Sequence, residues 1–190
     1  MELQVLENLA YSFYPRGICA SENRAEYLNS LEFKRLKETV GKNQGSEYLK
    51  EFALEMEKRK GIRIFRDATR TSLLERSTNL QLLWKKDNTW YSISALISFI
   101  IPYYLCLGTK VQVKENSDRW VSLPELMNKE EEKLYSEDIR VISNLIEEKL
   151  GYNRFPEVWV NQKVKNISFQ DLALDQMTMY NAFFLDGIFI

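Results

Sequence analysis

Two short segments place carboxylates beside lysine in a loose E-x-K spacing: Glu131-Glu132-Lys133 and Glu147-Glu148-Lys149. Presented from a strand edge toward two metal ions, such a set would suit a metal-dependent hydrolase or nuclease. Both segments fall in charged, helix-like stretches, where solvated helix residues explain them better. The rest of the catalytic inventory is thin. The chain has 190 residues and no histidine, which removes Ser-His-Asp and Cys-His sites and most zinc and iron centres. No S-x-x-K, G-x-G-x-x-G or G-x-x-x-x-G-K-[ST] motif and no EF-hand loop occurs, so no phosphate cradle or calcium loop is expected. A pair of carboxylates set for glycoside hydrolysis needs only spatial proximity, and no such pair stands out. Cys19 and Cys106 follow no metal or redox spacing and read as free thiols in a reducing compartment. The reading is of a non-catalytic chain with no cofactor and no metal.

Charge is distributed unevenly around a formal net charge of −1, which gives no global field for nucleic acid or an anionic membrane. Lys58 to Arg70 carries six basic residues against Asp67 alone. It reads as a helix C-terminus followed by an edge strand whose outward charges discourage pairing; phosphate contact is the other reading. Glu125 to Asp138 carries six acids against Lys129 and Lys133. Solvated loop and first-turn helix charge explain much of this. A contact surface for a basic partner is the alternative, with Glu130, Glu131, Glu132 and Asp138 supplying charge and Tyr135 and Trp120 supplying aromatic anchors.

These residues must be positioned by a fold that the periodicities suggest. Leu3, Leu6, Leu9, Ala10 and Phe13 recur at helical spacing until Tyr14-Pro15,. A second helix starts at the N-cap Ser30 with Phe33, Leu36 and Val40. A third starts at Ser46 with Tyr48, Leu49, Phe52, Ala53 and Met56, closing at Lys58-Arg59-Lys60-Gly61,. After Gly61 the period changes to two. Ile62 and Ile64 alternate with Arg63 and Phe65; Asn79 to Trp84 is a strand; Lys85 to Asn88 is a hairpin turn into Trp90 to Ile101; Tyr103 to Val113 is a further strand with a kink at Gly108,. Asn88 to Thr109 carries no charge over 22 residues, about a bilayer-spanning length. Yet Tyr91, Ile93, Ala95, Ile97 and Phe99 alternate with Ser92, Ser94 and Ser98, which is a strand pattern and argues against a membrane span. An amphipathic helix follows, with Ser136 as cap, Ile139, Ile142, Ile146 and Leu150 as core stripe and Gly151 as stop,. The tail mixes loops with short strand candidates at Val158 to Val160, Ile167 to Phe169 and Met177 to Leu185, and the apolar residues near Ile190 are expected to be docked. The N-terminus lacks a basic region and a continuous apolar stretch, so no secretory signal is expected.

The expected class is α+β: N-terminal helices, a central antiparallel β-meander, one amphipathic helix near 137–150 and a strand and loop tail. Residues 1–190 read as a single domain, helical over 1–60, with a sheet and one covering helix over 61–190. Tyr14-Pro15-Arg16-Gly17-Ile18, Tyr27, Ser30 and Glu32-Phe33-Lys34-Arg35-Leu36 resemble the opening of bacterial polymorphic-toxin immunity proteins. Ile97 to Tyr104, Asn166 to Phe169 and Met179 to Asp186 are similar to later parts of such proteins. The resemblance implies a small cytoplasmic protein that binds a toxin domain encoded nearby and blocks it; the near-zero net charge gives no reason to expect a nucleic acid partner,. The alternatives are the histidine-free hydrolase above and a scaffold or small-ligand carrier. The last would need an apolar pocket with convergent polar groups.

Overall fold

The computed structural model describes residues 2–44, 46–58, 64–69, 74–114, 122–123 and 125–185. Four helices come first: α1 (Leu3–Ala10), α2 (Arg24–Asn29), α3 (Leu31–Asn43) and α4 (Glu47–Lys58). A meander of β1 (Ile64–Asp67), β2 (Ser77–Lys86), β3 (Thr89–Ser98), β4 (Tyr103–Gln112) and β5 (Glu125–Leu126) forms the sheet in that order, every neighbour antiparallel. Helices α5 (Lys129–Leu134) and α6 (Ser136–Leu150) follow. Then β6 (Asn153–Arg154) pairs parallel with β4, and α7 (Glu157–Val160) and α8 (Met179–Phe183) complete the chain. The fold is mixed α+β, as the periodicities indicate.

The meander forms because β2, β3 and β4 each offer a matched apolar row. Leu80 faces Ala95, Leu82 faces Ile93 and Trp84 faces Tyr91, so one sheet face is apolar across the register,. The turn is tight: Lys86 pairs with Thr89, and Asp87 takes φ +54°, a left-handed conformation that a short polar side chain tolerates. The serines on the other side of β3 are also buried, so this strand is covered on both faces, as its lack of charge requires. Each serine finds a partner. Ser94 accepts from Gln81 at 3.0 Å, Ser92 bonds Thr109 at 2.6 Å, and Ser98 donates to the Phe183 carbonyl at 2.8 Å. The uncharged stretch is thus most of a hairpin, and no described helix is long and apolar enough to cross a membrane. Gly108 does not interrupt the ladder. It lies in continuous register opposite Ile93, and its missing side chain makes room for Met127, whose Sδ would stand 2.9 Å from an added Cβ.

The helices follow their stripes more closely than their expected caps. Leu36 and Val40 of α3, Leu49, Phe52 and Met56 of α4, and Ile142, Leu145 and Ile146 of α6 are buried. Ser30 caps α3 by accepting from Phe33 N, and Gly151 closes α6 at φ +67°. Ser46 stands at the N-cap position of α4 and its carbonyl receives Leu49 N and Lys50 N, but its enclosed hydroxyl makes no cap bond and has no hydrogen-bond partner among the described residues. Ser136 is already inside α6 and donates back to the Lys133 carbonyl, because α5 runs almost directly into α6 and leaves no extended residue for a cap. The first helix ends at Ala10, short of Phe13, and α2 and α5 are elements beyond those expected.

The tail differs from the expected strands. Val158 to Val160 lies in α7, where the helical turn buries Val160 and exposes Val158. Met177 to Leu185 contains α8, which Thr178 starts with a capping box to Asn181, a pattern that favours helix over strand. Ile167 to Phe169 is flanked by left-handed Asn166 and Gln170 and makes only an isolated bridge from Phe169 to Leu172. Backbone groups of this irregular segment are satisfied by distant side chains. Tyr14 donates to Ala182 O at 2.7 Å and Tyr27 to Ser168 O at 2.7 Å, while Arg76 holds Asn181 O through Nε at 3.1 Å and Nη2 at 2.6 Å. Arg76 is wholly buried and lies over the Phe169 ring,. Most of the buried apolar residues form one cluster that runs from Leu6 through the sheet to Leu185. Residues 186–190 lie outside the described part.

Candidate functional site

The acidic segment folds as α5 because Asn128 caps it. The Asn128 Oδ1 accepts from Glu130 N at 3.0 Å and Glu131 N at 2.9 Å, and Glu131 Oε2 accepts from Asn128 N at 2.9 Å. Asn-x-x-Glu is a capping-box pattern. Three acids in the first turn also suit the positive end of the helix,. The six residues then divide among three directions. Glu131 turns to the sheet, where Lys110 Nζ donates to both its oxygens at 2.7 and 2.9 Å. The lysine holds the Glu131 carboxyl below its ordinary range, and Glu131 raises Lys110 in turn. Lys129, Glu132 and Lys133 face a cleft. Glu130 and Leu134, one turn apart, point to solvent, and Leu134 is 73% exposed,. Leu123 and Leu126 on the approach to α5 are exposed as well.

Tyr135 joins α5 to α6 and is fixed by aromatic contacts. Its ring centroid lies 4.4 Å from that of Trp84 and 5.9 Å from that of Tyr91, and Trp84 Nε1 donates to its hydroxyl at 3.3 Å. Trp84 and Tyr91 stack at 5.8 Å. The α5–α6 junction is therefore clamped to the sheet by rings of limited freedom.

Beside this junction is a cleft of about 400 Å³, between α5, α6, β4 and β6. One stripe of α6 faces it, from Ser136 through Arg140 and Ser143 to Glu147, and Arg154 enters from β6. At the base Tyr104 donates to Glu147 Oε1 at 2.6 Å, and Cys106 Sγ lies 3.8 Å from Ser143 Oγ. Burial holds the Tyr104 hydroxyl far above its usual range and pushes the Cys106 thiol up to about 11, so the thiol is protonated and a poor nucleophile at neutral pH. Glu132 is raised from its ordinary value, by burial first and by Glu157 second. The arginines face carboxylates of their own: Arg140 pairs with Glu137 at 2.6 Å and Arg154 with Glu157 at 3.2 Å.

The expected residues are therefore brought to one corner of the molecule but in different roles. Glu130 is solvent-facing, Glu131 is engaged by Lys110, Glu132 lines the cleft, Tyr135 is a clamp, and Asp138 sits half-buried in the first turn of α6. Trp120 lies outside the described residues. So do Arg59 to Arg63 and Arg70 of the basic run. Of the two E-x-K groupings, Glu132 and Glu147 line the same cleft, with Glu147 held by Tyr104. Among the described residues no three Cys, Asp or Glu side chains gather where they could hold a metal ion. Composition missed Lys110, because its pairing with Glu131 depends on β4 lying beside α5. Leu134 and the Asn128 cap carried readable signals, the first as the residue one turn after Glu130, the second as the capping box. Searches against family models, curated proteins and solved structures return no match to this chain.

Proposed function

We propose that this chain is a non-catalytic, protein-binding module, a cytoplasmic immunity protein that binds a toxin domain encoded beside it and blocks it. The observation that carries this reading is the outward face of α5. An exposed leucine, Leu134, follows an exposed acid, Glu130, on a short helix whose other faces are tied to Lys110 and to the cleft. Leu123 and Leu126 extend the exposed apolar surface along the same stretch of chain. An apolar residue framed by charge on a rigid support is the arrangement from which interfaces draw affinity and association rate. The partner surface that fits it is basic with an apolar recess.

Mixing the chain with the protein encoded beside it should give a stoichiometric complex. Glu130→Lys and Leu134→Asp should each weaken that complex about tenfold or more, a loss of roughly 1.4 kcal/mol. Val5→Asp, on the exposed side of α1, should leave it unchanged. Absence of any complex with the neighbouring product would remove the immunity reading. A complex indifferent to both α5 variants would move the interface elsewhere.

A further inference from the structure

Among the described residues, helix α4 covers the β1–β2 side of the sheet without filling the space beneath it. A half-open cavity of about 540 Å³ remains, walled by Leu49 and Ala53 of α4, Phe65 of β1, Leu80 of β2 and Phe99. Helix–sheet interfaces normally pack to the density of organic crystals, with voids no larger than a water or two. This volume instead falls in the range that holds drug-sized ligands.

The polar groups on the walls are not equivalent. Thr69 and Thr78 hydroxyls bond each other at 2.8 Å, Thr69 Oγ1 accepts from Asn79 N at 2.9 Å, and Asp67 Oδ1 accepts from Thr69 N at 3.0 Å. That wall is matched within the protein. Gln44, at the end of α3, is different: its side-chain nitrogen is enclosed and has no hydrogen-bond partner among the described residues. An enclosed, unmet donor costs about 1–3 kcal/mol. The terminal amide torsion of glutamine is soft, so a small rotation presents this nitrogen to an acceptor in the cavity. Charge at the cavity selects further. Lys50 on the wall pairs with Glu47 at 3.5 Å, and an anion entering these largely apolar walls would give up its hydration.

We infer that this cavity binds a neutral, mainly apolar small molecule carrying one carbonyl-type acceptor, which the Gln44 amide receives. The inference does not rest on the toxin-binding reading, since α4 and α5 use separate surfaces.

The test uses isotope-labelled full chain and amide-resolved NMR, titrated with benzylacetone, a neutral aryl ketone, and with hydrocinnamate, its carboxylate counterpart. The ketone should give saturable shifts at the Gln44 side-chain amide and at the backbone amides of Leu49 and Ala53. Hydrocinnamate should bind at least tenfold more weakly. Gln44→Leu should weaken the ketone about tenfold, the order expected for losing one hydrogen bond to an enclosed donor. Ala53→Trp, which fills the cavity, should abolish the shifts in a chain that still melts cooperatively. If that variant does not fold, the Gln44→Leu arm decides. Absence of saturable shifts at Gln44, equal affinity for hydrocinnamate, or unchanged ketone affinity in Gln44→Leu would each overturn the assignment.

Discussion

Adjacent glutamates in α5 have opposite electrostatic lives, and the difference is testable residue by residue. Glu131 is charged in the folded state because Lys110 and the Asn128 backbone both favour the carboxylate. With its folded pKa depressed, its stabilisation is full above the unfolded value near 4.3 and is lost as pH falls through the lower folded value. The side chains of Lys110 and Glu131 are 27% and 22% exposed, so solvent screening reduces the effect. Glu131→Gln, which can still serve the capping box, should cost about 1 kcal/mol at pH 7, and Glu131→Ala about 2. In urea melts the Gln variant should converge on the parent at pH values below the carboxylate range. Glu132 behaves in reverse. Its folded pKa is raised by burial and by Glu157, so any stabilisation it gives is present at acid pH and lost as pH rises through that value. Glu132→Gln should therefore raise Tm at pH 7 and change it little at pH 4. A lowered Tm at pH 7 would show that the cations of the cleft, Lys129, Lys133 and Arg154, outweigh its burial. The acidity of the segment was plain from composition; which acid is engaged was not, because Lys110 lies 21 positions away in the chain.

Among the elements, legibility tracked period length. Helices α3, α4 and α6 repeat their apolar spacing over three or more turns, and β2, β3 and β4 are ten-residue stretches in which β2 and β3 alternate in part and β4 opens on an apolar run, so their patterns identify them. Helices α2, α5, α7 and α8 run for only four to six residues, too short for periodicity, and caps are the better signal. Gly108 shows a limit of another kind. Its value lies in what approaches it: Met127 packs over it and Met127 N donates to its carbonyl at 2.9 Å, securing β5 ahead of α5. Gly108→Ala should cost about 1 kcal/mol as Met127 shifts. It should also speed hydrogen exchange at the Met127 amide relative to the centre of β3. Unchanged exchange there would mean that β5 is held mainly by its pairing with Thr109 and Lys110.

For the molecule as a whole, the α+β class and the central meander could be read in advance, but the closure of the structure could not. Nothing local marks Tyr14, Tyr27, Arg76 or Ser98 as ligands of tail carbonyls, since each reaches a backbone oxygen 85 to 168 positions away. Those pairings also place the candidate surfaces, because the tail supports β4 and β6 at the cleft through the Phe155 contacts with Tyr103 and Phe184. The Tyr14–Ala182 bond has a kinetic consequence. It closes a ring of nearly the entire chain, and the entropy of closing so long a loop is recovered only after most of the intervening structure exists. Tyr14 should thus act after the folding barrier. Tyr14→Phe, which leaves the Ala182 carbonyl unmet at a cost of about 1–2 kcal/mol, should accelerate unfolding several-fold and leave the refolding rate nearly unchanged. The last latch to engage is then the first to release, and the lifetime of the native state is governed where the segment after α1 meets α8.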